Sequence, residues 1–295
     1  MMVSFLQTIY PKKFFTMKQI LVLLFFTSVY IQVSAQKFFL NTLIGTANYQ
    51  GDLQDKRFSF NQARLAFGAG VTYEVSDKFS VRAGLTLAKV GADDKKNAKV
   101  FYRNLNFTSP ITELHLAGEY YLLNPYEHSL APYLFGGLAV YHFNPYTRDS
   151  LGAKYYLRPL STEGEGFYQN KKNYSLTQLA IPFGAGIRLS LSENIRVGLE
   201  VGMRKLFTDY LDDVSTNYVD QNLLLANRGA KAVELAYRGN ELKNGAPYPA
   251  GGEQRGSSKY KDWYYFTGLT TSIRLGSGNN SRGGRSGIGC PAKVY

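Results

Sequence analysis

His142 is followed by Asp149 and Ser150, the three side-chain types of a hydrolase or acyltransferase in which an imidazole takes the serine proton and a carboxylate orients the ring. Such a site is defined by geometry, and nearness along the chain does not supply it; the plain alternative is a loop. Asp209, Asp212 and Asp213, with Asp220 beyond, offer the oxygen ligands that calcium takes. Their spacing does not follow an EF-hand, and acidic loop residues usually face water or pair with arginine. His115 sits within an alternating segment, where a hydrogen-bonded interior role is simplest, and His128 falls in a short turn. Cys290 is the single cysteine, so neither an intramolecular disulfide nor a cysteine-based zinc site can form. Gly251-Gly252 and the Gly/Ser-rich stretch after Leu275 precede no helix start and are not phosphate cradles. The expectation is a non-enzyme with no catalytic, cofactor-binding or metal site.

The charged residues that remain are carried by segments of period two. Over 195–203 the odd positions Ile195, Val197, Leu199, Val201 and Met203 are apolar, opposite Arg196, Gly198, Glu200 and Gly202. A period of two places the two sets on opposite faces of a strand. Segments 63–75, 79–87, 111–122, 177–191 and 263–275 repeat the pattern; 38–49 and 131–143 are strand-like with faces that the pattern does not assign. The total is eight strands, each near the roughly 9–11 residues that cross a bilayer at a tilt. Short turns at 76–78, 124–129 and 192–194 alternate with longer loops at 50–60, 91–110, 144–175 and 208–261. Short turns at one end and long loops at the other describe an outer-membrane barrel, with the turns in the periplasm. The predicted fold is all-β, an eight-stranded antiparallel transmembrane β-barrel with long extracellular loops.

Three parts follow from this. Residues 1–35 read as a signal peptide whose start is expected at Met17: Lys18, an apolar run over 20–31, then Val33-Ser34-Ala35. The expectation is export through cleavage of that segment to the cell outer membrane. Residues 36–275 form the barrel, and 276–295 a basic, flexible periplasmic tail with Arg282, Arg285 and Lys293. The formal charge of +12 is not gathered into an aromatic-interleaved stripe, so nucleic acid is not expected as a partner; outer-membrane lipid is.

Eight strands enclose a lumen just wide enough for side chains to fill. The inward set comprises Arg64, Glu74, Arg82, Glu113, His115, Glu119, Arg188, Arg196, Glu200, Arg204 and Arg274. Charges away from water persist when paired and hydrogen-bonded, so arginine and glutamate from neighbouring strands predict a self-neutralising polar interior network. An ion pathway is the other reading, and it needs open space that this size does not provide.

Several runs go beyond a generic barrel. Ala47-Asn48-Tyr49-Gln50-Gly51-Asp52-Leu53 closes the first strand, and Pro132-Tyr133-Leu134-Phe135-Gly136-Gly137 opens the fifth, which ends in Phe143-Asn144-Pro145. Ile181-Pro182-Phe183-Gly184 follows, then the run from Thr208-Asp209-Tyr210-Leu211-Asp212-Asp213 through Tyr218-Val219-Asp220. Arg255-Gly256 and Lys261-Asp262-Trp263-Tyr264-Tyr265 complete the series. Together, across essentially the whole mature chain, these runs resemble the PorG-like outer-membrane proteins of the Bacteroidetes, associated with type IX secretion and gliding. Asp209, Tyr210, Asp212, Asp213, Tyr218 and Asp220 are the most specific part of the likeness. The resemblance implies a structural barrel that anchors or assembles the secretion apparatus by contacting a periplasmic ring lipoprotein and its partner. A stand-alone binding or transport barrel, recognising a hydrophobic or surface ligand through its loops, is the alternative.

Overall fold

The computed structural model describes residues 37–54, 56 and 59–276. The signal segment 1–35 and residues 277–295 of the tail, Cys290 included, lie outside the described residues. Residues 39–274 form one compact unit. It is built on eight long strands: β1 (Phe38–Gln50), β2 (Arg64–Glu74), β3 (Phe79–Asp93), β4 (Asn106–Tyr121) and β5 (Leu130–Phe143), then, after two short strands in a loop, β8 (Thr177–Ser190), β9 (Ile195–Leu206) and β10 (Trp263–Leu275). The short strands are β6 (Tyr146–Arg148) and β7 (Lys154–Tyr156). Strand order runs β3-β2-β1-β10-β9-β8-β5-β4, and pairing of β3 with β4 closes the ring. The chain is a closed eight-stranded antiparallel barrel, with β6 and β7 continuing the ladder from β4.

Closure removes every sheet edge within the ring, so each backbone donor and acceptor of the long strands has a neighbour to meet. Two of the tight turns use one device. Ser76 Oγ accepts from Phe79 N at 3.1 Å, and Ser192 Oγ accepts from Ile195 N at 3.1 Å, so a serine opens each turn and ties it three residues on. At the other end β3 and β4 run well past the expected limits, pairing from Phe79↔Tyr120 to Asp93↔Asn106. The loop expected at 91–110 is therefore shortened to 94–105, because the antiparallel ladder continues once a partner is in register.

The outward face is apolar around the ring: Ile44, Leu65, Leu85, Leu114, Leu138, Leu179, Leu199 and Leu269 are all exposed, Leu138 by 70%. The inward face holds the charged side chains and a set of aromatics. Strand β5 explains why its faces were unreadable. Its buried positions Tyr133, Phe135, Tyr141 and Phe143 are as apolar as its exposed ones, so hydropathy does not alternate. Two of those rings receive guanidinium groups instead, with Arg188 4.4 Å from the Tyr133 centroid and Arg82 4.9 Å from that of Phe135. Glycine is needed opposite them: a Cβ at Gly202 would come within 2.4 Å of Arg204 Nη1 and 2.8 Å of the Phe135 ring.

Candidate functional site

The lumen is filled by ion pairs drawn from strands far apart in sequence. Arg204 on β9 holds Glu113 on β4 by two bonds, Nε to Oε2 and Nη2 to Oε1, each 3.0 Å, and Tyr264 OH on β10 donates to Oε2 at 2.6 Å. Glu200 takes Arg82 at 2.6 and 3.1 Å and the Tyr133 hydroxyl at 2.6 Å. Glu119 takes Arg188 at 2.7 and 3.0 Å, and Arg82 Nη1 lies 3.1 Å from its other side. Towards the turn end Arg196 meets Glu74 at 2.8 Å, where Arg274 Nη2 donates to the Tyr126 hydroxyl at 2.8 Å. His115 Nδ1 sits 3.3 Å from Glu113 Oε1. Ten of the eleven inward residues expected from the sequence thus face this interior. Arg64 does not join them: at the first position of β2 it is exposed and lies against Gly91 where the ladder projects past the packed interior.

The long loop after β9 closes the other end. Its Leu211 and Val214 are fully buried in one apolar cluster with the strand residues Tyr49, Phe107, Tyr141, Phe143 and Tyr264. The following residues form helices α1 (Gln221–Arg228) and α2 (Ala230–Ala236), which pack with Val219 in a cluster of their own. The aspartate run has structural partners throughout. Asp213 adopts φ +67°, a left-handed conformation that Asp tolerates better than most residues, and accepts from Thr162 Oγ1 at 2.6 Å and Tyr174 OH at 2.7 Å. The half-buried ring of Tyr210 stacks on Tyr174 at 4.8 Å, and Tyr218 packs edge-on against Tyr237. Asp220 is exposed and caps α1, accepting from the Asn222 and Leu223 amides at 3.0 Å.

Three side chains that sequence reasoning missed or left without a role knit the loops together. Glu163 Oε2 accepts from Thr216 N at 2.9 Å and Thr216 Oγ1 at 2.6 Å, while its Oε1 accepts from Ser215 N at 2.9 Å and Arg255 Nη1 at 3.1 Å. Arg255 also donates to Asp213 O and, at 3.2 Å, to Ala236 O. Arg103 binds Asp94 through Nε at 3.0 Å and Nη2 at 2.9 Å and reaches Asp52 O at 3.1 Å. Only their burial marks them, and no periodicity in loop sequence foretells burial.

A group of carboxylates lies beneath the cap with few cations. Asp212 Oδ2 and Asp262 Oδ1 both accept from the hydroxyl of Tyr49, the latter at 3.2 Å. Asp209 Oδ2 accepts from Ser215 Oγ at 2.8 Å. Gly51 backs onto this group, since a Cβ there would meet Asp262 Oδ1 at 2.0 Å and the Tyr49 hydroxyl at 2.1 Å. Burial pushes Asp209 up to about 7, Asp213 up to about 6 and Glu165 up to about 8. Asp212 and Asp262 rise well above the carboxylate range through burial first, then through the nearby charges of Asp52 and Asp212 respectively. A carboxyl that holds its proton more tightly when folded adds stability that is complete below pH about 4 and lost as pH rises through its folded value. The cap is therefore expected to loosen between pH 5 and pH 9. Hydrogen-exchange protection factors across 208–262, each taken relative to the intrinsic rate at its own pH, should fall over that range; equal protection factors at both pH values would contradict this.

The hydrolase trio is not assembled. His142 is exposed on the outward face with Nδ1 3.0 Å from Thr177 Oγ1, whereas Asp149 serves the Leu151 and Ala153 amides and Lys231. The trio fails because the inward positions of β5 are odd-numbered. Among the described residues no group of three or more His, Cys, Asp or Glu is disposed to hold a metal ion.

Fold and interior together define the class: a small closed barrel with an apolar exterior, an ion-paired lumen and a folded cap. The chain belongs to the family described as Domain of unknown function (DUF6089), which matches residues 18–227. No curated protein matches it. Among solved structures it is similar to Neisserial surface protein A (7% identity, TM-score 0.41, covering 81% of this chain and 97% of that one). It is also similar to the attachment invasion locus protein Ail of Yersinia pestis (8%, 0.38, 81% and 97%) and to the outer membrane protein OprG of Pseudomonas aeruginosa (12%, 0.37, 81% and 98%).

Proposed function

We propose that the chain is an outer-membrane barrel with a sealed lumen, acting as a fixed, non-enzymatic anchor. The observation that carries this reading is the inversion of polarity. Large apolar side chains face outward on every long strand, while Arg82, Arg188, Arg196 and Arg204 are buried inside against four glutamates. A surface of that kind is stable in lipid, and a lumen so filled leaves no route for solute. The function then resides on surfaces that meet other molecules.

The finer reading follows the likeness to PorG-like proteins: an outer-membrane anchor for a type IX secretion or gliding apparatus, exported by cleavage of residues 1–35. Its periplasmic turns or tail would contact a ring lipoprotein and its partner. The cap run 209–220, the most specific element of that likeness, supports family kinship; the contact itself is assigned to the opposite end. A gentle pull-down of tagged barrel from outer-membrane extracts, read by mass spectrometry, should recover a periplasmic lipoprotein with its ring partner. Recovery of the barrel alone, in extracts where the ring stays assembled, would count against the anchor.

A further inference from the structure

Between the ion pairs of the lumen lies a small void. Its lining includes Asn41 and Leu43 on β1, Arg82 on β3, Arg188 on β8, Arg204 and Glu200 on β9 and Thr270 on β10. Its volume is about 30 Å³. Polar atoms of those same residues are left over when the ion pairs are made. Asn41 Oδ1, Thr270 Oγ1, Arg82 Nε, Arg188 Nε and Arg204 Nη1 are buried with no hydrogen-bond partner in the protein. Buried polar groups of a stable fold are met by something, and a void bordered by donors and acceptors alike is where that partner fits.

Charge decides what the partner is. Arg82, Arg188 and Arg204, the cations that line the void, are each paired with a carboxylate from Glu113, Glu119 or Glu200, so the charges around it are balanced before anything enters. An ion placed there would be uncompensated in a region shielded from water. Three leftover N–H groups require an acceptor, and the leftover amide oxygen requires a donor, so the occupant must do both. Its size is limited as well: a water needs about 10–15 Å³ of such space, which leaves room for about two or three and for no larger solute.

We propose that this void is a built hydration site, in which two or three ordered waters bridge Asn41 and Thr270 to the guanidinium groups of Arg82, Arg188 and Arg204. The waters join the Arg204–Glu113 pair to the group that Arg82 already links through Glu119 and Glu200, giving one network spanning β1, β3, β8, β9 and β10. The site stands independently of the anchoring role, since it depends only on the barrel interior.

The test uses the full-length barrel in lipid nanodiscs with methyl-labelled Leu and Thr. Magnetisation transfer from water, with the sign of long-lived bound molecules, is expected at the Leu43 and Thr270 methyl groups and absent from lipid-facing Leu138. Thr270→Val keeps the side-chain shape and removes the hydroxyl; it should cut the Leu43 signal by roughly a third to a half, as one of about two or three waters leaves. Bromide titration should leave the Nε–H resonances of Arg82 and Arg188 unchanged. A folded barrel without transfer at either methyl would mean a dry void and overturn the proposal. A saturable bromide shift would assign the void to an anion and overturn it equally.

Discussion

Replacing Glu113 by alanine is expected to destabilise the barrel by about 3–5 kcal/mol, the cost of leaving a buried charge without its partner. Glu113 is fully buried, and Arg204 binds it through two parallel bonds while the Tyr264 hydroxyl supplies a third. Without the carboxylate, the Arg204 guanidinium keeps the Phe266 ring, 4.2 Å from its centre, but no anionic partner. The loss is about the stranded cation more than the lost bond, so removing both charges should restore most of it. Glu113→Ala combined with Arg204→Met is expected to recover to within about 1–2 kcal/mol of the parent, because a well-packed apolar replacement of a buried pair is often near neutral. Urea unfolding in lipid vesicles reads both. A single variant that loses under about 1 kcal/mol would mean that bulk solvent floods the surroundings of Arg204, and the filled lumen would be wrong.

The second large effect lies in the cap. Glu163→Ala removes the acceptor shared by the Ser215 and Thr216 amides and strands Arg255, the residue that ties Asp213 to Ala236. About 3 kcal/mol of local stability should go with it. Each 1.4 kcal/mol is a factor of ten in an opening equilibrium, so proteolytic cleavage within 208–262 should speed up by roughly a hundredfold. The strands should remain paired, since their ion pairs do not pass through Glu163. Unchanged cleavage would show that the apolar seating of Leu211 and Val214 holds the cap without the charged clasp. Concerted loss of the barrel would show that cap and strands form a single cooperative unit.

The strands and their inward charges were legible because one face of each was apolar and the other was not. In β9, Arg196, Glu200 and Arg204 alternate with Val197, Leu199 and Val201, and the structure buries the first set and turns the second outward. Strand β5 lost that contrast because its lumen positions are aromatic, with tyrosine hydroxyls and ring faces doing the work that charges do elsewhere. Arg64 shows the same limit from the other side: its parity points inward, but position along the strand decides whether an inward residue is covered. The loops were the least readable. The aspartate run was visible as a run, yet whether Asp212 and Asp213 face water or sit beneath a cap depends on Tyr49, Thr162 and Tyr174, which come from remote segments. Residues 221–236 lie in the expected loop 208–261 yet are helical: Leu, Ala, Lys and Glu behind the Asp220 cap are a local helix signal, and tertiary packing holds two such short helices.

The claim on which the rest depends is that the lumen is closed from both sides, by ion pairs within and by the cap above. Planar-bilayer recording of the refolded, full-length barrel tests it most directly. The account predicts a membrane that stays silent across salt concentrations and voltages, with the Glu163→Ala variant equally silent because the ion-paired lumen alone blocks passage. A stable unitary conductance from the parent protein would contradict it and make this a channel.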